Sequence, residues 1–178
     1  MSYFNDNEFN SSSQGESLYL SKGINKDVMI GEMQAFEPET GSPYLSILLY
    51  PASSSPENGT NFRFYMSDNA RARSLEKITH LVTRIISKDE LLKINSKSTT
   101  LEEFATNITA AINGATMRWF KICAEQYINK DGAVKDKLII GLPAFVSQDE
   151  THKLRWDESN PYDYKKIAVD QVSERLVL

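Results

Sequence analysis

The stretch Tyr44-Leu45-Ser46-Ile47-Leu48-Leu49-Tyr50 puts Leu45, Ile47 and Leu49 on one side of an extended chain, and Tyr44, Ser46, Leu48 and Tyr50 on the other. Successive side chains of a strand point to opposite faces, so this period of two reads as a strand with one face in a core. Just upstream, Glu37-Pro38-Glu39-Thr40-Gly41-Ser42-Pro43 has turn chemistry, since Pro fixes φ and Gly accepts positive φ at little cost. A strand over 27–36 is expected before that turn, with Val28, Ile30, Met33 and Phe36 inward. Downstream, a loop rich in Pro, Ser and Gly over 51–60 leads to Phe62-Arg63-Phe64-Tyr65-Met66. There Phe62, Phe64 and Met66 alternate with Arg63 and Tyr65, which predicts a third strand.

Beyond it the period changes. Leu75, Ile78, Leu81, Val82, Ile85 and Ile86 recur at helical spacing after Ser67, the expected N-cap, and leave Arg71, Arg73, Lys77, Arg84 and Lys88 mostly on other faces. A second helix is expected from the capping box Thr100-Leu101-Glu102-Glu103, with Leu101, Phe104, Ile108, Ala111 and Ile112 on one side and a stop near Gly114. Strand character returns over 116–127, turns at Asn129-Lys130-Asp131-Gly132 and resumes over 135–142. Three strands, a helical segment and two more strands follow the order of an OB-fold. The expected fold is therefore a β-rich α+β, OB-fold-like five-stranded partly open barrel with a two-helix insertion between strands 3 and 4, over residues 17–146. Residues 1–16, poor in apolar side chains and rich in Asn and Ser, read as a disordered segment. Residues 147–178 read as an acidic loop and a C-terminal extension of open structure.

With 178 residues, 40% of them hydrophobic, the chain suits one core. Its longest apolar runs fall far below the roughly 20 residues of a spanning helix, and the first 14 residues resemble neither a signal nor a transit peptide, so a cytoplasmic protein is expected. The single cysteine, Cys123, reads as a small buried hydrophobe. With it and two histidines, His80 and His152, a zinc set or a Ser-His-Asp device has little material, and no cofactor is expected. The net charge of −4 is unevenly spread. Residues 1–60 carry 2 basic and 8 acidic side chains, 61–140 carry 13 and 9, and 141–178 carry 5 and 7, giving −6, +4 and −2. The middle of the chain is its basic part.

Leu20-Ser21-Lys22-Gly23-Ile24-Asn25, Gly41-Ser42-Pro43-Tyr44-Leu45 and Lys137-Leu138-Ile139-Ile140-Gly141-Leu142-Pro143 together resemble segments of tailed-phage single-stranded DNA-binding proteins, over about residues 18–146. The resemblance implies an OB-fold protein of phage replication or recombination that coats exposed strands in the host cytoplasm and catalyses nothing. Bacterial-type single-strand binders commonly carry an acidic C-terminal tail. This chain departs from that pattern with Glu174-Arg175-Leu176-Val177-Leu178, which counts against recruiting replication partners through such a tail.

Single-strand binding needs cations along the phosphates and flat side chains under the bases. Tyr44, Tyr50, Arg63 and Tyr65 fall opposite the apolar rows of their strands and are expected to share one surface. Trp119 and Lys121, followed by Lys135 and Lys137 across the hairpin, make a second candidate patch. Aromatic residues on strands also pack, and one bulge reverses the parity, in which case Phe120 rather than Trp119 is the exposed ring. Two other functions compete. A protein-interaction or virion-associated module would use Trp156, Tyr162, Tyr164 and the apolar end, while a metal-dependent hydrolase would use Asp149-Glu150 or Asp157-Glu158.

Overall fold

The computed structural model describes residues 17–145 and 154–168. The expected disorder of 1–16 lies outside them, as do parts of the acidic loop and of the C-terminal extension. Strands β1 (Gly23–Phe36), β2 (Tyr44–Pro51) and β3 (Thr60–Tyr65) form an antiparallel meander. Helices α1 (Arg71–Val82), α2 (Lys88–Lys97) and α3 (Leu101–Ile112) follow, then the hairpin of β4 (Thr116–Ile128) and β5 (Val134–Phe145), and a short β6 (Tyr164–Lys165). The strand order is β3-β2-β1-β4-β5, with β6 parallel to β4. Among the described residues the chain is thus a β-rich α+β fold whose sheet is not closed, its order ending on β3 and β5.

The expected count of two helices is corrected to three. The missed one, α2, is capped by Ser87, whose hydroxyl accepts from the Glu90 N–H, and it buries only Leu91 and Ile94 in an otherwise polar run. Too short an apolar stripe hid it. Ser67 does not cap α1. Its carbonyl accepts from the Ala70 and Arg71 N–H groups in a turn, and the helix begins after Ala70. Thr100 does cap α3 and accepts from the Glu103 N–H at 3.1 Å. The Glu103 carboxylate reaches back one residue further than the box predicts, to the N–H and hydroxyl of Thr99. At Gly114, where φ is +86°, the chain leaves the helix.

β1 positions everything else. Its first half pairs with β4, from Gly23 opposite Ile122 to Met29 opposite Thr116. Its second half pairs with β2, ending with Phe36 opposite Tyr44. The β1–β2 register shifts between Ile30 and Met33. Gly31 lies inside this bulge, where an added Cβ would stand 3.0 Å from a methyl of Leu48. Past Met29, the last β1 residue paired with β4, the edge of β1 that faces away from β2 is met by α3 and its exit. The Met33 N–H donates to Thr109 Oγ1 at 2.9 Å, the Ile30 carbonyl accepts from the Gly114 N–H at 2.8 Å, and the Ile30 N–H donates to the Ala115 carbonyl at 2.9 Å.

The bulge also corrects an orientation. Met33 is inward as expected, but the strand then alternates from Met33, so Phe36 points out and is 40% exposed. The core joins Val28, Ile30, Met33, Leu45, Ile47, Leu49, Phe62 and Phe64 of the meander to Ile78 and Leu81 of α1, Ile108 and Ile112 of α3, and Phe120, Ile122 and Ile140. Replacing Thr109 with Val keeps its shape and leaves the Met33 N–H without a partner. Urea unfolding of Thr109→Val should show a loss of about 1–3 kcal/mol, the cost of an unsatisfied buried donor.

Candidate nucleic-acid interface

Residues directly opposite in an antiparallel pair share a face, so the register writes out the outer surface of the meander. Phe36, Tyr44 and Tyr65 form one row across β1, β2 and β3, with Gln34, Ser46 and Arg63 as the next. The Phe36 and Tyr44 rings stack with centroids 5.0 Å apart and planes 18° apart, and Tyr44 and Tyr65 lie 5.4 Å apart, tilted by 52°. The Arg63 guanidinium sits 4.9 Å over the Tyr44 ring. Its interaction with the Tyr65 side chain, then with Tyr44, raises its already high pKa. The site is thus a strip of flat rings carrying a fixed cation.

Three of the expected residues, Tyr44, Arg63 and Tyr65, come together here. Phe36 joins them, although the sequence reading placed it inward with Met33, because the strand alternates from Met33 after the bulge. Tyr50 lies on the same strand face as Tyr44, but six residues away, or about 20 Å at strand rise. There it stands opposite Met29 and is half-buried.

The second expected patch is divided. Trp119 is half-buried opposite Lys26, and Phe120 is fully buried, so the parity with Trp119 outward holds. Lys121 points the same way but is not presented to solvent. Its ammonium donates to Asp163 Oδ1 at 2.8 Å in a buried ion pair, and Asp163 Oδ2 accepts from the Asp157 N–H. The described C-terminal residues, 154–168, form a strap over this part of β4, which corrects the expectation of an exposed Lys121. Lys135 is exposed opposite Tyr127 near the hairpin tip, and Lys137 is exposed opposite Glu125.

The strap also uses the residues of the rival readings. Trp156 stacks on Tyr164 with centroids 6.4 Å apart and lies against Gly23, whose φ is +107°. The Tyr164 hydroxyl donates to Asp136 Oδ1 at 2.7 Å, while Lys22 donates to Asp136 Oδ2 at 2.7 Å. Of that aromatic set only Tyr162, 90% exposed, faces solvent. Asp157 turns its carboxylate to the N–H and hydroxyl of Ser159, which lower its pKa. Asp149-Glu150 lie outside the described residues. Burial raises the pKa of the Cys123 thiol, and His80, half-buried on α1, has its pKa lowered by desolvation and then by Arg84.

Between β3 and β5 lies a cleft of about 460 Å³. It is lined by 60–65 of β3, 136–140 of β5 and Lys77 of α1, so Arg63 and Tyr65 from the meander meet Lys137 from the hairpin. Comparison with protein-family models finds no match, and comparison with curated proteins finds none. No helix among the described residues is long and apolar enough to cross a membrane.

Removing the acid of a buried pair strands the base, so Asp163→Ala should lower stability by about 3–5 kcal/mol in chemical denaturation. The double variant Lys121→Met with Asp163→Leu should recover most of it. For Asp136, desolvation raises the pKa, but hydrogen bonds from Lys22 and Tyr164 and the Lys22 charge outweigh it and leave the pKa low. A carboxylate whose pKa is lowered by folding stabilises the protein fully above its unfolded value and loses that contribution as pH falls through the folded one. Wild-type protein should therefore lose stability in acid, below the ordinary carboxylate range, and Asp136→Asn should lose less over the same interval in urea titrations.

Proposed function

We propose that this chain is a sequence-nonspecific single-stranded DNA-binding protein with an OB-fold-like barrel left open between β3 and β5. The observation that carries the reading is the outward row Phe36, Tyr44 and Tyr65 with Arg63 fixed over Tyr44. Every base has a π-face, so a strip of rings accepts any sequence. A guanidinium beside the rings neutralises a phosphate or stacks in turn. The strand order supports the barrel reading, since a meander, a helical crossing from β3 to β4, and β1 shared between β2 and β4 follow an OB-fold's connections.

Binding here is coating rather than catalysis. The outer surface of the meander presents rings, an amide and a guanidinium, and the acids of the strap hold its own turn and Lys121. On this reading the partner is a single strand exposed during phage replication or recombination, the setting that the sequence resemblance suggests.

The test is fluorescence anisotropy of a labelled thymidine oligomer, with matching duplex as competitor. The wild type should bind the single strand, resist the duplex and weaken with salt. Tyr44→Ala removes the central ring, and at about 1–3 kcal/mol per stacked base it should weaken binding by roughly fivefold to over a hundredfold. Tyr162→Ala, on the exposed turn, should bind like the wild type. Absence of binding even at low salt would sink the proposal and favour the interaction module, for which Tyr162 is the exposed handle.

A further inference from the structure

The cleft between β3 and β5 contains a cation that the aromatic strip does not explain. Lys77 lies three residues after Ser74 and four before Leu81, both buried, so α1 turns it toward the sheet rather than to open solvent. It is half-buried and lines the cleft. No carboxylate comes within 4 Å of its ammonium among the described residues. Desolvation, then the charge of Arg73, lowers its pKa, with Cys123, Glu125 and Glu76 acting more weakly in the other direction.

A half-buried lysine with no ion partner among the described residues has lost more hydration than its distant acids return, and a bound anion would offset that loss. The rest of the lining fits an anion too. Arg63 and Lys137 add two cations, and Asp136, the one acid in its lining among the described residues, is already held by Lys22 and Tyr164.

We propose that the β3–β5 cleft is a phosphodiester track, in which Lys77 holds a backbone phosphate of a strand whose neighbouring bases stack on Tyr65 and Tyr44. This rests on the single-strand reading and adds to it a path and a residue. Arg63 belongs to both surfaces, because it lies over Tyr44 and also lines the cleft. The strand thus passes from ring to cleft around one side chain. A cleft of about 460 Å³ falls within the range of about 300–1,000 Å³ usual for bound ligands. An extended peptide added between the edges fits less well. It would need them about 9.6 Å apart, twice the strand spacing, whereas at their nearest residues β3 and β5 approach within 8 Å between Cα atoms.

The experiment measures oligothymidine affinity between about 50 and 200 mM salt for the wild type, Lys77→Met, Lys77→Arg and Tyr44→Ala. Each phosphate contact on a single strand contributes about 0.7 to the slope of log affinity against log salt, so Lys77→Met should lose about that much and Lys77→Arg should keep it. Tyr44→Ala should bind weakly with an unchanged slope. In the wild-type protein, bound oligomer should protect Lys77 from amine acylation read by mass spectrometry, which needs no variant to fold. A wild-type slope in Lys77→Met with no protection, while Tyr44→Ala still weakens binding, overturns the track and leaves the single-strand reading standing. Protection by an acidic peptide but not by the oligomer overturns it in favour of a peptide site. A wild type that binds no oligomer overturns both.

Discussion

A two-residue interruption in β1 holds the architecture together. A strand of 14 residues that stayed flat would keep one partner set along its length. β4 pairs with it from Gly23 to Met29 and β2 from Val28 to Phe36, and the β2 register shifts between Ile30 and Met33. Beyond Met29, the edge of β1 that β4 leaves presents two N–H groups and a carbonyl. They are met by the Thr109 hydroxyl, the Gly114 N–H and the Ala115 carbonyl. Helix α3 is therefore more than a lid on the core. With its exit it pairs the edge of β1 that β4 leaves, while β3 and β5, at the two ends of the sheet order, line a cleft.

The same register shift decides what the outer surface displays. Had β1 kept its parity, Phe36 would lie in the core and the ring row would stop at Tyr44. With the bulge, Phe36 comes out beside Tyr44, while Ala35 packs inward. The local chemistry of β2 and β3 was readable because alternation over Leu45, Ile47, Leu49, Phe62 and Phe64 is a nearest-neighbour property. The orientation of Phe36 was not readable, although Gly31 in the strand interior was its signal.

Other parts escaped for related reasons. Helix α2 has a good cap and an acidic first turn, but only two buried apolar side chains, too few to show a period. Lys121 meets its partner across 42 residues of sequence, and no local pattern announces that pairing. Once the strap is in place, a lysine that reads as part of a binding patch becomes part of the interior, and Tyr164 leaves the surface with it while Trp156 becomes half-buried. Lys77 was misread in the opposite direction. It was expected mostly on a face other than the apolar one, while its spacing from Ser74 and Leu81 leaves it half-buried beside the buried stripe.

An open sheet has two rims of unpaired amides and carbonyls, and such rims invite a second copy to continue the sheet, the first step toward aggregation. Here the two rims belong to one molecule and look at each other, with α1 packed against both. What an approaching copy meets is a rim carrying Arg63 on one strand and Lys135 and Lys137 on the other. Two copies joining like rim to like rim would bring cations against cations and strip them of water. The opening that makes a cleft is thereby shielded from the self-association that open sheets risk.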